Sequence, residues 1–228
     1  MTTMTTHALE IELLGHALTL LSEGAAWWPA ARTLFIADPH LGKAATFRAH
    51  GQPVPSGTTE ANLARVSALI RRHAAARLVF LGDLLHAAPA QRAPLHEALR
   101  RWRASHAELD CVLVRGNHDR HAGDPPAAMR CTLVDEPWLA GNALVACHHP
   151  QRHAGRIVLA GHTHPVVRLH GRAHDSVRLP CFVRGTDLLI LPAFGEFTGG
   201  TARGLPAEAV AYPVGGGRVW PAQALGPR

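Results

Sequence analysis

Five short apolar runs in this chain each end in residues that bind metals or move protons. Thr33-Leu34-Phe35-Ile36-Ala37 runs into Asp38-Pro39-His40, and Leu78-Val79-Phe80-Leu81 into Gly82-Asp83. Cys111-Val112-Leu113-Val114 runs into Arg115-Gly116-Asn117-His118-Asp119. Residues 143–147 lead to His148-His149, and 156–160 to Gly161-His162-Thr163-His164. Runs of this length and composition read as buried strands. Core packing gives a buried strand no reason to end in an imidazole and a carboxylate. The recurrence therefore constrains the fold: the strand ends must meet. In an α/β sheet the carboxyl ends of the strands line one crevice, where ligands bind. On extended backbone, residues i and i+2 point the same way, so Asp38 with His40, and His162 with His164, can converge.

The segments between the runs support such a sheet. A helix is expected from Ser56 to about Ala75, with Leu63, Val66, Leu69 and Ile70 on one face. Ser56, Thr58 and Thr59 are its capping residues. A second helix is expected over 92–106, with Leu95, Leu99 and Trp102 inward and Arg100, Arg101 and Arg103 outward. The order strand, helix, strand, helix, strand implies parallel pairing. Upstream, 8–14 and 16–21 read as strands joined near Gly15, and Trp27-Trp28 as a half-buried hairpin. After residue 131 strands and turns take over, at 131–134, 143–147, 156–160, 166–169, 181–183, 188–191 and 209–212. They imply a second, mostly antiparallel sheet. Residues 194–204 read as a Gly-rich loop. With no repeat and no long linker, the expectation is a single domain over 1–228.

Composition narrows the class. Hydrophobic residues make up 47% and charged residues 18% of the 228 positions, as in ordinary globular chains. No run approaches the ~18 apolar residues of a membrane span. The N-terminus lacks a signal-peptide pattern, so a cytoplasmic location is expected. Cys111, Cys131, Cys147 and Cys181 form no CxxC pair and read as free, mostly buried thiols. The net charge of +6 favours anionic partners. Lys43, the only lysine, lies beside the first motif. His7, His50, His73, His106 and His174 read as surface residues. Phe47, Phe194 and Phe197 read first as core and second as faces on which unpaired bases can stack.

Together the strand ends supply more oxygen and imidazole donors than one ion needs. Two divalent ions bring four positive charges; Asp38, Asp83 and a bridging hydroxide remove three. The roughly single remaining charge suits an anionic phosphate ester. Two ions ~3.5–4 Å apart activate water and hold phosphate oxygens for in-line displacement. Lys43, Arg48 and Arg115 are candidate phosphate contacts by residue type.

Asp38-x-His40, Gly82-Asp83, Gly116-Asn117-His118-Asp119, His148 and Gly161-His162-x-His164, in this order, resemble the binuclear metallophosphoesterase (calcineurin-like) superfamily. The stretches 38–48, 51–55, 82–86 and 191–200 resemble a narrower group, the bacterial DNA-ligase-associated metallophosphoesterases, which are DNA-damage-response endonucleases. The resemblance implies an α/β fold, a sandwich of two mixed β-sheets flanked by helices. It implies that Asp38, His40 and His164 hold a first metal, that Asp83 bridges, and that Asn117, His148 and His162 hold a second. His149 is the alternative to His148. His118 would act beside the scissile phosphate without binding metal, and Asp119 would support its loop. His86, where many relatives carry Asp, would orient His118 or touch substrate. The metals would be Mn²⁺, with Fe, Zn or Ni also compatible with the donor set. The implied activity is phosphodiester cleavage by a metal-bridging hydroxide. Single-stranded DNA is the implied substrate, in repair, with DNA ligase and helicase as associates; the chain itself is expected to be a monomer or homodimer. The motifs also accommodate a nucleotide or cyclic-nucleotide phosphodiesterase or a phosphatase. Asp119 and Leu84-Leu85-His86 depart from the Gly-Asn-His-Glu and Val-Asp-Arg-Gly patterns of the protein Ser/Thr phosphatases.

Overall fold

The computed structural model describes residues 8–49, 51–86, 93–170, 175–202 and 208–224. The first sheet runs in chain order: β1 (Leu9–Leu13), β2 (His16–Leu20), β3 (Ala26–Trp28), β4 (Thr33–Ile36), β5 (Arg77–Leu81), β6 (Asp110–Val114) and β7 (Thr132–Val134). β1 to β4 pair antiparallel, and β4 to β7 pair parallel. The parallel half follows from its crossovers, which carry α1 (Lys43–Ala49), α2 (Thr58–His73), α3 (Ala93–Ala104) and α4 (Asn117–Ala122).

The period-2 alternation of the strands builds two cores. Leu34, Ile36, Leu78, Phe80, Cys111 and Leu113 face α2 and α3, meeting Leu63, Leu69, Leu99 and Trp102. Phe35, Ala37, Val79, Leu81, Val112 and Val114 face the other way, onto the second sheet. Strands buried on both faces read as continuous apolar runs.

The second sheet contains β8 (Trp138–Leu139), β9 (Leu144–Ala146), β10 (Ile157–Ala160), β11 (Val166–His170), β12 (Ser176–Arg184), β13 (Leu188–Ile190), β14 (Val210–Gly215), β15 (Arg218–Val219) and β16 (Gln223–Ala224). Its order is β15-β14-β12-β13-β10-β9-β8, with β11 on β12 and β16 on β14. The sheet is mostly antiparallel, as expected, with one exception. β9, β10 and β13 are parallel at the centre, which turns the carboxyl ends of β9 and β10 to the same edge.

Other local expectations also change. Residues 43–49 and 117–122, where no helix was expected, form the short helices α1 and α4. The N-cap of α2 is Gly57, in a left-handed conformation, with no side-chain cap. Trp27 and Trp28 are buried rather than half-buried, at 8% and 7% exposure. Arg103 is buried, because Nε and Nη2 donate to Met129 O and Leu109 O at 3.0 and 2.8 Å and so satisfy its charge-bearing group. His73 and His106 are partly buried, against Trp27 and Trp102. β12 begins five residues earlier than the expected 181. All four cysteines are free. His7, His50, His174, residue 92 and residues 203–204 lie outside the described residues. Among the described residues, no helix is long and apolar enough to cross a membrane.

Candidate metal centre

The loops after β4 and β5 are zipped together by backbone hydrogen bonds: His40 N to Asp83 O at 2.9 Å, Leu41 N to Leu84 O at 2.8 Å and His86 N to Leu41 O at 3.2 Å. This clamps the Asp38–His40 turn onto Asp83. His162 N donates to Asp38 Oδ2 and His118 N to Asp83 Oδ1, both at 2.9 Å, so each carboxylate is also held by a loop from another strand. The convergence does not come from extended backbone as expected. Asp38, His40, Asp83, His162 and His164 all lie at positive φ, between 43° and 68°. Each such conformation costs of order 1–3 kcal/mol in a residue other than glycine and persists only where the surroundings enforce it. Two glycines make room. A Cβ on Gly82 would strike His148 Nδ1, and one on Gly116 would strike Asp83 Oδ1.

The side chains form two facing sets. In the first, His40 Nε2 lies 3.3 Å from His164 Nε2, which stands 3.4 Å from Asp38 Oδ1. In the second, His148 Nε2 lies 2.9 Å from Asn117 Oδ1 and 3.0 Å from His162 Nδ1. Asp83 sits between them, Oδ2 at 3.7 Å from His40 Nε2 and Oδ1 at 3.6 Å from His148 Nε2. His148 Nδ1 meets Leu81 O at 3.0 Å and His164 Nδ1 meets Thr198 O at 3.3 Å. A carbonyl only accepts, so the hydrogen sits on Nδ1 and each Nε2 turns a lone pair inward.

These lone pairs crowd against other acceptors. Asp38 is fully buried, and its Oδ1 has no hydrogen-bond donor; His40 Nδ1 also lacks a partner. Such an arrangement is unfavourable without a cation. Asp38, His40 and His164, and separately Asp38, Asp83 and His148, bring their donor atoms within 4.8 Å of one another. Nitrogen and oxygen donors in two adjoining sets fit a binuclear divalent metal centre.

The electrostatics agree with neutral imidazoles at His40 and His86. Burial, reinforced by His164 and Lys43, pushes His40 down to about 2. Burial, then Lys43 and His118, push His86 down to about 4. Burial opposes a charge on His164, yet the Asp38 carboxylate outweighs it and raises that group. Asp119 is pushed up to about 6 by burial, against the pull of its hydrogen bonds from Gly116 and Leu85.

His118 lies at the rim of the first set, 5.0 Å from the His40 ring and stacked at 5.4 Å on His86. Its Nδ1 meets His86 O at 2.9 Å, so Nε2 is the free nitrogen. Asp119 is buried behind it, accepting from Gly116 N and Leu85 N. Lys43 opens α1, close enough for Asp83 and Asp38 to act on its charge. Arg48 and Arg115 are not brought into the cluster. Arg48 holds Pro55 O at 2.7 Å, and Arg115 holds Asp124 at 2.8 and 3.0 Å. His149 is half-exposed, meeting Glu136 Oε1 at 2.6 Å with its ring 4.2 Å from that of His162, while His148 is sealed inside. Glu136 escaped the sequence reading. Its Oε2 accepts both His148 N and His149 N at 2.8 Å, so it orients the loop that presents His148. No motif spacing flags it. Phe194 is buried, but Phe197 is 44% exposed.

Two β-sheets whose strand ends assemble facing oxygen and imidazole donor sets define a metal-dependent phosphoester hydrolase. The calcineurin-like phosphoesterase family matches residues 31–150, more than half of the chain, and the chain belongs to that family. The solved structure of a nuclease from Pseudomonas putida, MPE, is similar to it with 44% identity and a TM-score of 0.80, covering 94% of this chain and 100% of that one. The phosphoesterase Yfce of E. coli is 17% identical, with a TM-score of 0.43 over 85% of this chain and 99% of its own. No curated protein sequence matches the chain significantly.

Proposed function

We propose that this chain is a single-domain, manganese-dependent phosphodiesterase that cuts DNA, preferring single strands, as an endonuclease in repair. The observation that carries the chemistry is the Asp83 carboxylate, with one oxygen turned to each donor set. Asp38, His40 and His164 would hold one ion, and Asn117, His148 and His162 the other, with Asp83 shared. When bound, the ions polarise phosphoryl oxygens and lower the pKa of water. The similarity to a nuclease over nearly the whole chain supports a nucleic-acid substrate, as does the +6 charge. The N-terminal sequence supports a cytoplasmic location, and the family resemblance supports a working association with DNA ligase and helicase, with the chain a monomer or homodimer.

The chain's own residues then have distinct tasks. Asn117 offers a neutral oxygen, so the centre keeps its positive charge. His118, anchored through Nδ1 on His86 O, presents Nε2 to the phosphate, where it can hydrogen-bond an equatorial oxygen or protonate the leaving one. Its backbone N–H holds Asp83 Oδ1, which couples the imidazole to the shared carboxylate. Lys43 adds a cation at the rim. Phe197 shares a depression with His40 and Lys43, and its exposed ring offers a face for stacking of an unpaired base.

The test is incubation of purified protein with each divalent metal and with single-stranded, duplex and mononucleotide substrates, followed by mapping of the ends. Internal cleavage of single strands, strongest with Mn²⁺, is expected. Cleavage of mononucleotides alone would remove DNA as the substrate.

A further inference from the structure

Beside the metal centre lies a second feature that the ligand set does not use. β11 begins two residues after His164 and pairs antiparallel with the first half of β12, forming a two-stranded ribbon. In this ribbon Arg168 and Arg178 are direct cross-strand partners, and both are exposed. Like charges placed opposite each other destabilise a strand pair. Among the described residues neither has a carboxylate partner; Arg178 Nη2 donates to Gly200 O at 2.7 Å.

Between the ribbon and the loop after β13 runs a cleft of about 300 Å³, lined by His164, Val166, Arg178, Pro180, Gly195 and Thr198, among others. Its walls are fastened to the metal centre. Thr201 N donates to His164 O at 3.1 Å, Val166 N donates to Thr201 O at 3.0 Å, and Thr198 O accepts from His164 Nδ1. Gly200 allows the close approach, since a Cβ there would strike Val166 Cγ1. The cleft thus starts at a candidate metal ligand and reaches Arg178 on the ribbon, with Arg168 beside it as its cross-strand partner.

We infer that this cleft is the track for the substrate strand flanking the scissile phosphate, with Arg178 and then Arg168 binding successive backbone phosphates of single-stranded DNA. An anionic phosphate on each of the two opposed arginines relieves their repulsion, and guanidinium forks match phosphate oxygens. Among the described residues the cleft lining holds no side-chain amide or carboxylate for reading base edges, so the contact is sequence-independent. The inference rests on the DNA reading above and names residues which that reading leaves out. It also predicts that polynucleotides gain more from these arginines than small phosphodiesters do.

The test compares wild type with Arg168→Gln/Arg178→Gln, and with Arg178→Glu as a second variant; circular dichroism and melting temperature verify folding. Binding of a fluorescent single-stranded oligonucleotide is followed by anisotropy in EDTA, across a salt series, and cleavage is followed with metal. The double variant should bind roughly 10-fold or more weakly, with a salt slope shallower by about 1.4, or about 0.7 for each lost phosphate contact. Its kcat/KM for the oligonucleotide should fall by a much larger factor than its kcat/KM for an aryl phosphodiester. Arg178→Glu should weaken binding further. If both folded variants bind with wild-type affinity and slope, the track is wrong and the DNA reading stands. If wild type hydrolyses the aryl phosphodiester but neither binds nor cuts the oligonucleotide, both fall.

Discussion

Gly116 shows how tightly single residues set this centre. A Cβ there would collide with Asp83 Oδ1 and stand 2.9 Å from His148 Cε1. Gly116→Ala must therefore displace the carboxylate shared by both donor sets. An ~1 Å misplacement can cost about 100-fold in rate, so kcat/KM on an aryl phosphodiester should drop by that order and bound metal per chain should fall. Wild-type activity in a folded variant would contradict the shared role of Asp83. His118→Ala should behave differently. It removes the rim imidazole without removing a proposed ligand, so metal content should hold while the rate falls by about 10²–10⁴; elemental analysis with kinetics separates the two cases. The ligand types were legible in the motifs because chemistry restricts which side chains can serve. The left-handed backbone at Asp38, His40, Asp83, His162 and His164 was not. Tertiary clamps enforce it against local preference.

Among the elements, α2 was legible in the spacing of Leu63, Val66, Leu69 and Ile70, all buried on the first sheet. Leu69 is fully buried. Leu69→Ala should cost about 2–5 kcal/mol, read as a lower urea midpoint at an unchanged slope; a loss below ~1 kcal/mol would mean that the helix does not carry the packing assigned to it. The short helices α1 and α4 were not legible. Six or seven residues cannot sustain a helix alone. They are held by their docking at the strand ends, as where Asp119 ties Gly116 N to Leu85 N. Arg103 was misassigned for a similar reason. Its place in α3 read as surface, but carbonyls from other segments receive its guanidinium.

For the whole molecule, the centre couples stability to pH and metal. The His40 pKa is depressed in the folded state, from an ordinary 6.5 to about 2. Stability from such a group is present above 6.5 and is lost as pH falls toward the folded value. His86 acts in the same direction, down to about 4. Asp119, raised to about 6, works oppositely; its contribution is full below 3.8 and fades as pH rises through 6. His164, raised, also works oppositely. Between pH 5 and 7 the depressed imidazoles act together, His73, His106 and His162 also being lowered chiefly by burial, and together they set the sign. Protein stripped with EDTA should melt at a lower temperature at pH 5 than at pH 7, and reloading with Mn²⁺ at pH 7 should raise the melting temperature, by mass action on the folded state. A metal-free protein more stable at pH 5 would overturn this account of the buried imidazoles.

The apolar runs and the residues ending them determined, without any coordinates, that strands would deliver donors to one edge, and which donors. That information is local, because strand periodicity and ligand chemistry act over a few residues. Only the tertiary structure decided the left-handed backbone at which the donors meet, that Glu136 receives the loop carrying His148 and His149, and that Arg48 and Arg115 are engaged elsewhere. It also opposed Arg168 to Arg178 beside His164. These outcomes depend on register between strands distant in sequence, and on which partner each side chain meets once the sheets close.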